Sequence, residues 1–157
     1  MRLTVFSDYT LRVLIYLGLC QGRRVTIEQI ASAYGISRNH LTKVVNLLAT
    51  SGYVDTSRGK GGGLRLKVSP GEVSLGKVLR ESESDSALVE CFKREGSQCR
   101  IAPACAAQRI LGQAEAAFYR FLEAYTLADL LQPQRGLSAT LGLSPKGKSA
   151  GSQSERV

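Results

Sequence analysis

Three cysteines, Cys91, Cys99 and Cys105, stand within fifteen residues of one another, with seven and five residues between them. In a reducing compartment a cluster of this kind is more often a metal or redox site than a disulfide framework. No pair has the C-x2-C spacing that structural zinc often uses, and zinc normally takes four Cys/His ligands. The single histidine, His40, lies far upstream of the three cysteines. Three thiols on a loop, the last near a helix start, suit an iron–sulfur cluster. A helix N-terminus also favours the thiolate through its dipole and free N–H groups. Spacing alone leaves zinc, redox thiols and buried cysteines open beside the cluster. A four-iron cluster on three thiolates lacks one protein ligand, which leaves either another donor or an open iron for a small diatomic molecule to attack. The fourth cysteine, Cys20, falls on an apolar helix face and reads as core.

The elements that must position these thiols begin with three short helices. Residues 8–20 place Leu11, Leu14, Ile15 and Leu17 at helical spacing behind a Ser7/Asp8 cap candidate. Thr26 caps a second segment in which Ile27, Ile30 and Ala31 share a face, and Gly35 breaks it. Ser37 opens a third, with Leu41, Val44, Val45 and Leu48 as its buried stripe. Two amphipathic helices joined by a break at residues 34–37 form a helix-turn-helix pattern. The period then changes. Residues 53–56 and 64–68 read as two strands around the glycine-rich tip SRGKGGG, a hairpin that makes the unit a winged helix.

On such a unit the outward residues at the start of the recognition helix reach base edges. Here these are Ser37, Arg38, Asn39, His40 and Lys43, with Thr26 at the start of the preceding helix. Arg suits guanine and Asn suits adenine, since each can make a bidentate pair with that base. In the wing, Arg58, Lys60, Arg65 and Lys67 are interleaved with glycines that let the backbone approach phosphates. The loop is not a nucleotide-binding P-loop, because no Gly-Lys-Ser/Thr closes it. Charge agrees: residues 1–80 hold twelve Lys/Arg against four Asp/Glu, whereas residues 81–157 hold nine of each. All the excess of the +8 chain therefore lies on the part expected to meet a polyanion.

Beyond the wing, Ser74 can cap a further helix, and residues 81–85 read as an acidic, polar connector. From about 104 to 124 a long helix carries Ala107, Ile110, Leu111, Ala114, Ala117, Phe118, Phe121, Leu122 and Tyr125 on one stripe. A second copy of the chain is an economical partner for that stripe. The predicted fold class is mainly α with a small β-hairpin wing. It comprises a winged helix-turn-helix domain over 1–80, a connector and cluster loop over 81–105, a dimerisation helix over 104–131, and a disordered tail over 132–157. No apolar run approaches the ~18 residues of a membrane span. The start, MRLTVFSDYT, has no signal-peptide pattern, so no membrane partner and a cytoplasmic location are expected.

The segments MRLTVFSDYTLRVLIYL, GISRNHLTKVVNLL, GYVDTSRGKGGGLRL, CRIAPAC and FLEAYTLADLL together resemble the Rrf family of winged-helix iron–sulfur regulators. The SRNH and YTLADL stretches resemble its nitric-oxide-sensing repressor branch in particular. The resemblance implies a homodimer crossed through the long helix. It implies a cluster, [4Fe-4S] or else [2Fe-2S], held by Cys91, Cys99 and Cys105 and completed by Asp8 of the partner subunit. Without that role, Asp8 would be a helix cap. The implied activity is repression: the cluster-bearing dimer holds double-stranded operator DNA and releases it when nitric oxide attacks the iron. It is not an enzyme. The sister branch that senses cluster supply carries a histidine three residues after its last cysteine, where this chain has Gln108. A regulator of cluster assembly or cysteine metabolism is the alternative of the same class. An electron-transfer protein, the alternative of another class, needs neither the basic half nor the wing.

Overall fold

The computed structural model describes residues 2–84, 86–93 and 95–143. The chain opens with α1 (Val5–Cys20), α2 (Ile27–Tyr34) and α3 (Arg38–Thr50). The cap of α1 is Thr4 rather than Ser7 or Asp8: Thr4 has extended backbone and its hydroxyl accepts the Ser7 N–H at 3.2 Å. Asp8 therefore lies inside the first turn, where a carboxylate complements the helix dipole. For α2 the expected cap holds, with a reciprocal box between Thr26 and Gln29, and Gly35 ends it in the left-handed region. Ser37 then caps α3 by accepting the His40 N–H. These local bonds explain why the helix-turn-helix breaks where it does.

Strands β1 (Val54–Ser57) and β2 (Gly63–Leu66) pair antiparallel, Val54 opposite Leu66 and Ser57 opposite Gly63. The hairpin is tied back to the helices by a bridge from Leu64 to Val25, whose two N–H···O bonds measure 2.9 and 2.7 Å. Gly63 is required there. Its φ is +145° and a Cβ would lie 2.6 Å from the Val25 carbonyl oxygen. All four residues of the expected α3 stripe are buried, and they meet Val13, Leu14 and Leu17 of α1 and Ile30 of α2 in one core. Leu11 and Ile15, expected on the buried face of α1, are only half-buried.

Helix α4 (Leu75–Ser82) follows, then the cysteine segment and α5 (Ala106–Glu123). α4 and α5 touch backbone to backbone: a Cβ on Gly76 would lie 2.6 Å from the Tyr119 carbonyl oxygen. Above that contact the Arg80 guanidinium stacks 4.5 Å from the Tyr119 ring centroid and bonds Glu123 at 3.2 Å. Only Tyr119 of α5 is buried. The apolar stripe predicted for this helix faces outward, with Ile110, Phe121 and Tyr125 exposed by 56%, 64% and 41%.

The chain then returns to the winged helix through α6 (Leu127–Leu130), capped by a box between Thr126 and Asp129. Leu127 is fully buried, its N–H donates to the Val73 carbonyl at 2.9 Å, and the Leu75 N–H donates to Tyr125 at 3.0 Å. Residues 134–140, assigned from sequence to a disordered tail, form α7 (Gln134–Thr140). Leu141 and Leu143 after it pack on the core, so a few leucines in a polar stretch suffice to dock it. The rest of the expected tail lies outside the described residues.

Leu127 fastens the return from α5, and Leu127→Ala is expected to cost about 2–5 kcal/mol of stability. Chemical denaturation would check this. A loss under half a kcal/mol would show that α6 is not part of the cooperative core.

Candidate cluster loop and nucleic-acid interface

Cys91 sits in a 3-10 turn, Glu90–Phe92, closed by the Phe92 N–H on the Val89 carbonyl at 3.0 Å. Cys99 and Cys105 bracket a second run of turns. The Ala102 N–H donates to Cys99 and the Cys105 N–H to Ala102, each at 3.3 Å. The two stretches are linked by the residues just before Cys91 and Cys99, since the Gln98 N–H donates to the Glu90 carboxylate at 2.9 Å. Cys105 is the N-cap of α5 and its thiol makes no capping bond, so it stands beside the helix's unsatisfied N–H groups. All three thiols are free and half-buried, whereas Cys20 is buried in the core. The donor chemistry fits an iron–sulfur group: soft thiols, one of them at a helix N-terminus, on a segment of short turns. Among the described residues, no three Cys, His, Asp or Glu side chains converge on one point. The chain thus brings the cysteines into one loop without closing them into a ligand set, and Asp8 is not among them.

The connector before this loop holds a residue that its polar sequence hides. Glu83 is only 8% exposed. Its carboxylate accepts the Thr4 N–H at 2.7 Å, the Thr4 hydroxyl at 2.9 Å and the Ser7 hydroxyl, while the Ser82 hydroxyl lies 2.8 Å from that of Ser7. Burial opposes the ionised form, but the bonds from Ser7, Thr4 and Ser86 prevail and hold the carboxyl below its ordinary range. The start of α1 is thereby clipped to the end of α4. No local motif announces this, because partners 76 and 79 residues apart leave no spacing signal.

From that clipped start a line of contacts runs to the first turn of α3. Asp8 pairs with Arg12 at 2.8 Å. The Arg12 guanidinium lies 5.9 Å from the Tyr9 ring centroid and 5.8 Å from that of Tyr34. Burial pushes the Tyr34 phenol up to about 12, with Arg12 acting against it, so the ring stays neutral under the cation. Tyr9 in turn lies 6.0 Å, centroid to centroid, from His40 on the first turn of α3.

The residues expected to touch DNA are mostly open to solvent. Ser37, Arg38, Asn39, His40 and Lys43 are all exposed, as is Thr26 at the start of α2. Arg38 pairs with Glu28 of α2, Nε to carboxylate 2.9 Å. The Glu28 carboxyl is held below its ordinary range, first by its own backbone N–H, then by the Thr26 hydroxyl, with Arg38 adding. On the wing, Arg58 and Lys60 are exposed at the tip. Arg65 differs: its Nε bonds Asp55 at 3.0 Å, and Arg24 reaches the same oxygen at 2.8 Å. Two arginines on one carboxylate leave a net positive charge at the base of the wing.

A helix-turn-helix with a basic wing, backed by a cysteine-bearing loop and a half-exposed helix, defines a winged-helix DNA-binding protein. Residues 3–133 match the Rrf2 family, described as "Iron-dependent Transcriptional regulator". The "HTH-type transcriptional regulator NsrR" of Geobacillus kaustophilus is 44% identical over 142 residues, covering 90% of this chain and 97% of that protein. Its counterpart in Bacillus subtilis is 42% identical over 142 residues, with the same coverage. Among solved structures, oxidised CymR of Staphylococcus aureus superposes with a TM-score of 0.65 at 25% identity, over 84% of this chain and 97% of that one. IscR of T. potens has the same fold, with a TM-score of 0.63 at 20% identity over 94% of each chain. The chain belongs to the Rrf2 family of transcriptional regulators.

Glu83 gives a pH-dependent prediction. A carboxyl with a depressed folded pKa contributes stability that is fully present above its unfolded value, near pH 4.3, and lost as the pH falls through the folded value. Glu83→Gln is expected to lower stability at neutral pH by about 1–3 kcal/mol. The gap from the parent protein should narrow below about pH 4. A gap that stays constant from neutral to acid would rule out the ionised clip.

Proposed function

We propose that the chain is a homodimeric transcriptional repressor that carries an iron–sulfur cluster and releases operator DNA in response to nitric oxide. Cys91, Cys99 and Cys105 would hold the cluster, of [4Fe-4S] type, and Asp8 of the partner subunit would complete it. When bound, the cluster supplies iron that nitric oxide attacks. The outward apolar stripe of α5 is the surface for the second copy, because a helix with Phe121 and Ile110 left to solvent has a face to bury.

The observation that carries this reading is the line Asp8–Arg12–Tyr9–His40. It joins the proposed carboxylate ligand to the recognition helix within one chain. A carboxylate is a harder, weaker donor to iron than a thiolate, so Asp8 is the ligand most readily displaced. As a ligand Asp8 would give up its 2.8 Å ion pair with Arg12, whose guanidinium also faces the Tyr9 and Tyr34 rings. The Tyr9 ring, beside His40, would carry that change to the start of α3. The basic wing and the Arg24 and Arg65 cations provide the phosphate contacts that hold the dimer on duplex DNA. The names of the curated relatives and the glutamine at position 108 favour this branch over a regulator of cysteine metabolism or cluster assembly.

Protein purified without oxygen should be brown, a dimer by native mass spectrometry with iron and sulfide bound, and should hold a palindromic operator. Nitric oxide should abolish that binding, and operator affinity that persists after nitrosylation would defeat the sensing mechanism. Asp8→Ala should shorten the cluster's lifetime and change its absorption spectrum; an unchanged spectrum and lifetime would leave Asp8 only its pairing with Arg12.

A further inference from the structure

The reading end of α3 has a charge arrangement that its own sequence does not balance. Its first turn holds no acid, and it opens on Arg38, with His40 and Lys43 behind. A cation at the positive end of the helix dipole is unfavourable. The compensating charge comes from the neighbouring helix, where Glu28 approaches the Arg38 guanidinium at 2.9 Å. Both side chains are open to solvent, 69% for Arg38 and 56% for Glu28, and exposed pairs of this kind contribute little to stability. The pair is therefore not there to hold the fold. It also has a cost, because a carboxylate on a surface built for a polyanion weakens binding to every duplex. A charge that weakens all binding is useful where it weakens wrong binding more than right binding.

The geometry of the pair shows how. Glu28 approaches on the Nε side of the guanidinium, and the terminal nitrogens form the edge that can make a bidentate contact with guanine O6 and N7. Ser37, Asn39 and His40 around it are exposed, and among the described residues Glu28 is the side chain that fixes Arg38. We infer that Glu28 is a specificity-determining residue of the DNA face, holding Arg38 with its terminal edge toward a guanine and repelling phosphates wherever that guanine is absent. On the matching duplex Arg38 bridges base and carboxylate. On other duplexes Arg38 stays neutralised by Glu28, and the phosphate attraction that drives non-specific binding is reduced by one cation. The inference rests on the DNA-binding reading above.

Glu28→Gln keeps the shape of the side chain and leaves the Thr26–Gln29 capping box intact, so the variant should fold. The test uses the full-length, cluster-loaded dimer, prepared without oxygen as the parent, E28Q, R38K and the double variant. Each is used to select duplexes from a random-sequence pool. Affinities are then measured on the selected operator, its single-base variants and an unrelated duplex over a salt series. E28Q is expected to bind the unrelated duplex several-fold more tightly and to lose roughly tenfold discrimination at one guanine position. R38K should relax that same position, and the double variant should lose no more there than either single change. An E28Q selection motif identical to the parent's would overturn the inference while leaving the DNA-binding reading intact. So would an equal loss of affinity on every duplex, which is what a merely structural role predicts. If the unsubstituted protein selects no duplex at all, the DNA-binding reading falls and this inference falls with it.

Discussion

A carboxylate taken out of water must find fixed donors, and Glu83 finds most of them at the far end of the chain, in Thr4 and Ser7. Much of the molecule is arranged around that closure. It decides where α1 begins, and so where Asp8, Tyr9 and Arg12 project from the first turns. It also ends α4 and sends the chain toward Cys91. Two segments distant in sequence, one bearing the proposed carboxylate ligand and one the thiols, are thus anchored to the same buried charge. In a dimer that crosses ligands between subunits, each Glu83 would anchor the donor given to one cluster and the loop that holds the other.

The second constraint is the close approach of α4 and α5. Gly76 lets the backbones meet, and Arg80 covers the seam by stacking on Tyr119 and bonding Glu123. One face of α5 is thereby used, and Leu127 brings the chain back to the core immediately afterwards. The helix is held toward its C-terminal end, with Ile110, Phe121 and Tyr125 of the apolar stripe pointing to solvent. Packing back onto α1 would have buried that stripe. The observed orientation instead leaves exposed apolar side chains of the kind that a second α5 could cover.

How much of this was legible in the sequence depends on the range of the interaction. The helix-turn-helix could be read residue by residue, because Thr26, Gly35 and Ser37 act on backbone groups within a turn. The α3 stripe of Leu41, Val44, Val45 and Leu48 is periodic and was buried as expected. The wing followed from a change of period and a run of glycines. What escaped was long-range or sparse. Glu83 looked like part of a solvated connector, since acidity says nothing about burial when the donors lie more than seventy residues away. α7 reads as disordered, since Leu141 and Leu143 stand in a polar stretch and only their packing on the core, with contact to α1, docks it. The cap of α1 falls at Thr4, three or four residues before the expected Ser7/Asp8, because all three are good cap types. Choosing among them required Glu83.

α3 has two unlike faces. Its inward face is fixed from the first turn onward by Leu41, Val44, Val45 and Leu48, which are packed against α1 and α2 at close to full burial. The outward side chains of its first turn, those proposed to meet bases, are held by a serine cap, a ring contact from Tyr9 and an exposed ion pair with Glu28. Each of these is worth little beside the core contacts. A helix fixed on one face and lightly held on the other can have its exposed side chains re-aimed by small changes on the light face without disturbing the fold. Both light contacts come from outside the helix, one from α1 beside Asp8 and one from α2. On the proposed reading the Tyr9 contact would report the state of the Asp8 site, and the Glu28 contact would select the base. Both act on side chains of the same turn, so a signal at Asp8 would need only a small shift there to spoil the alignment of Arg38.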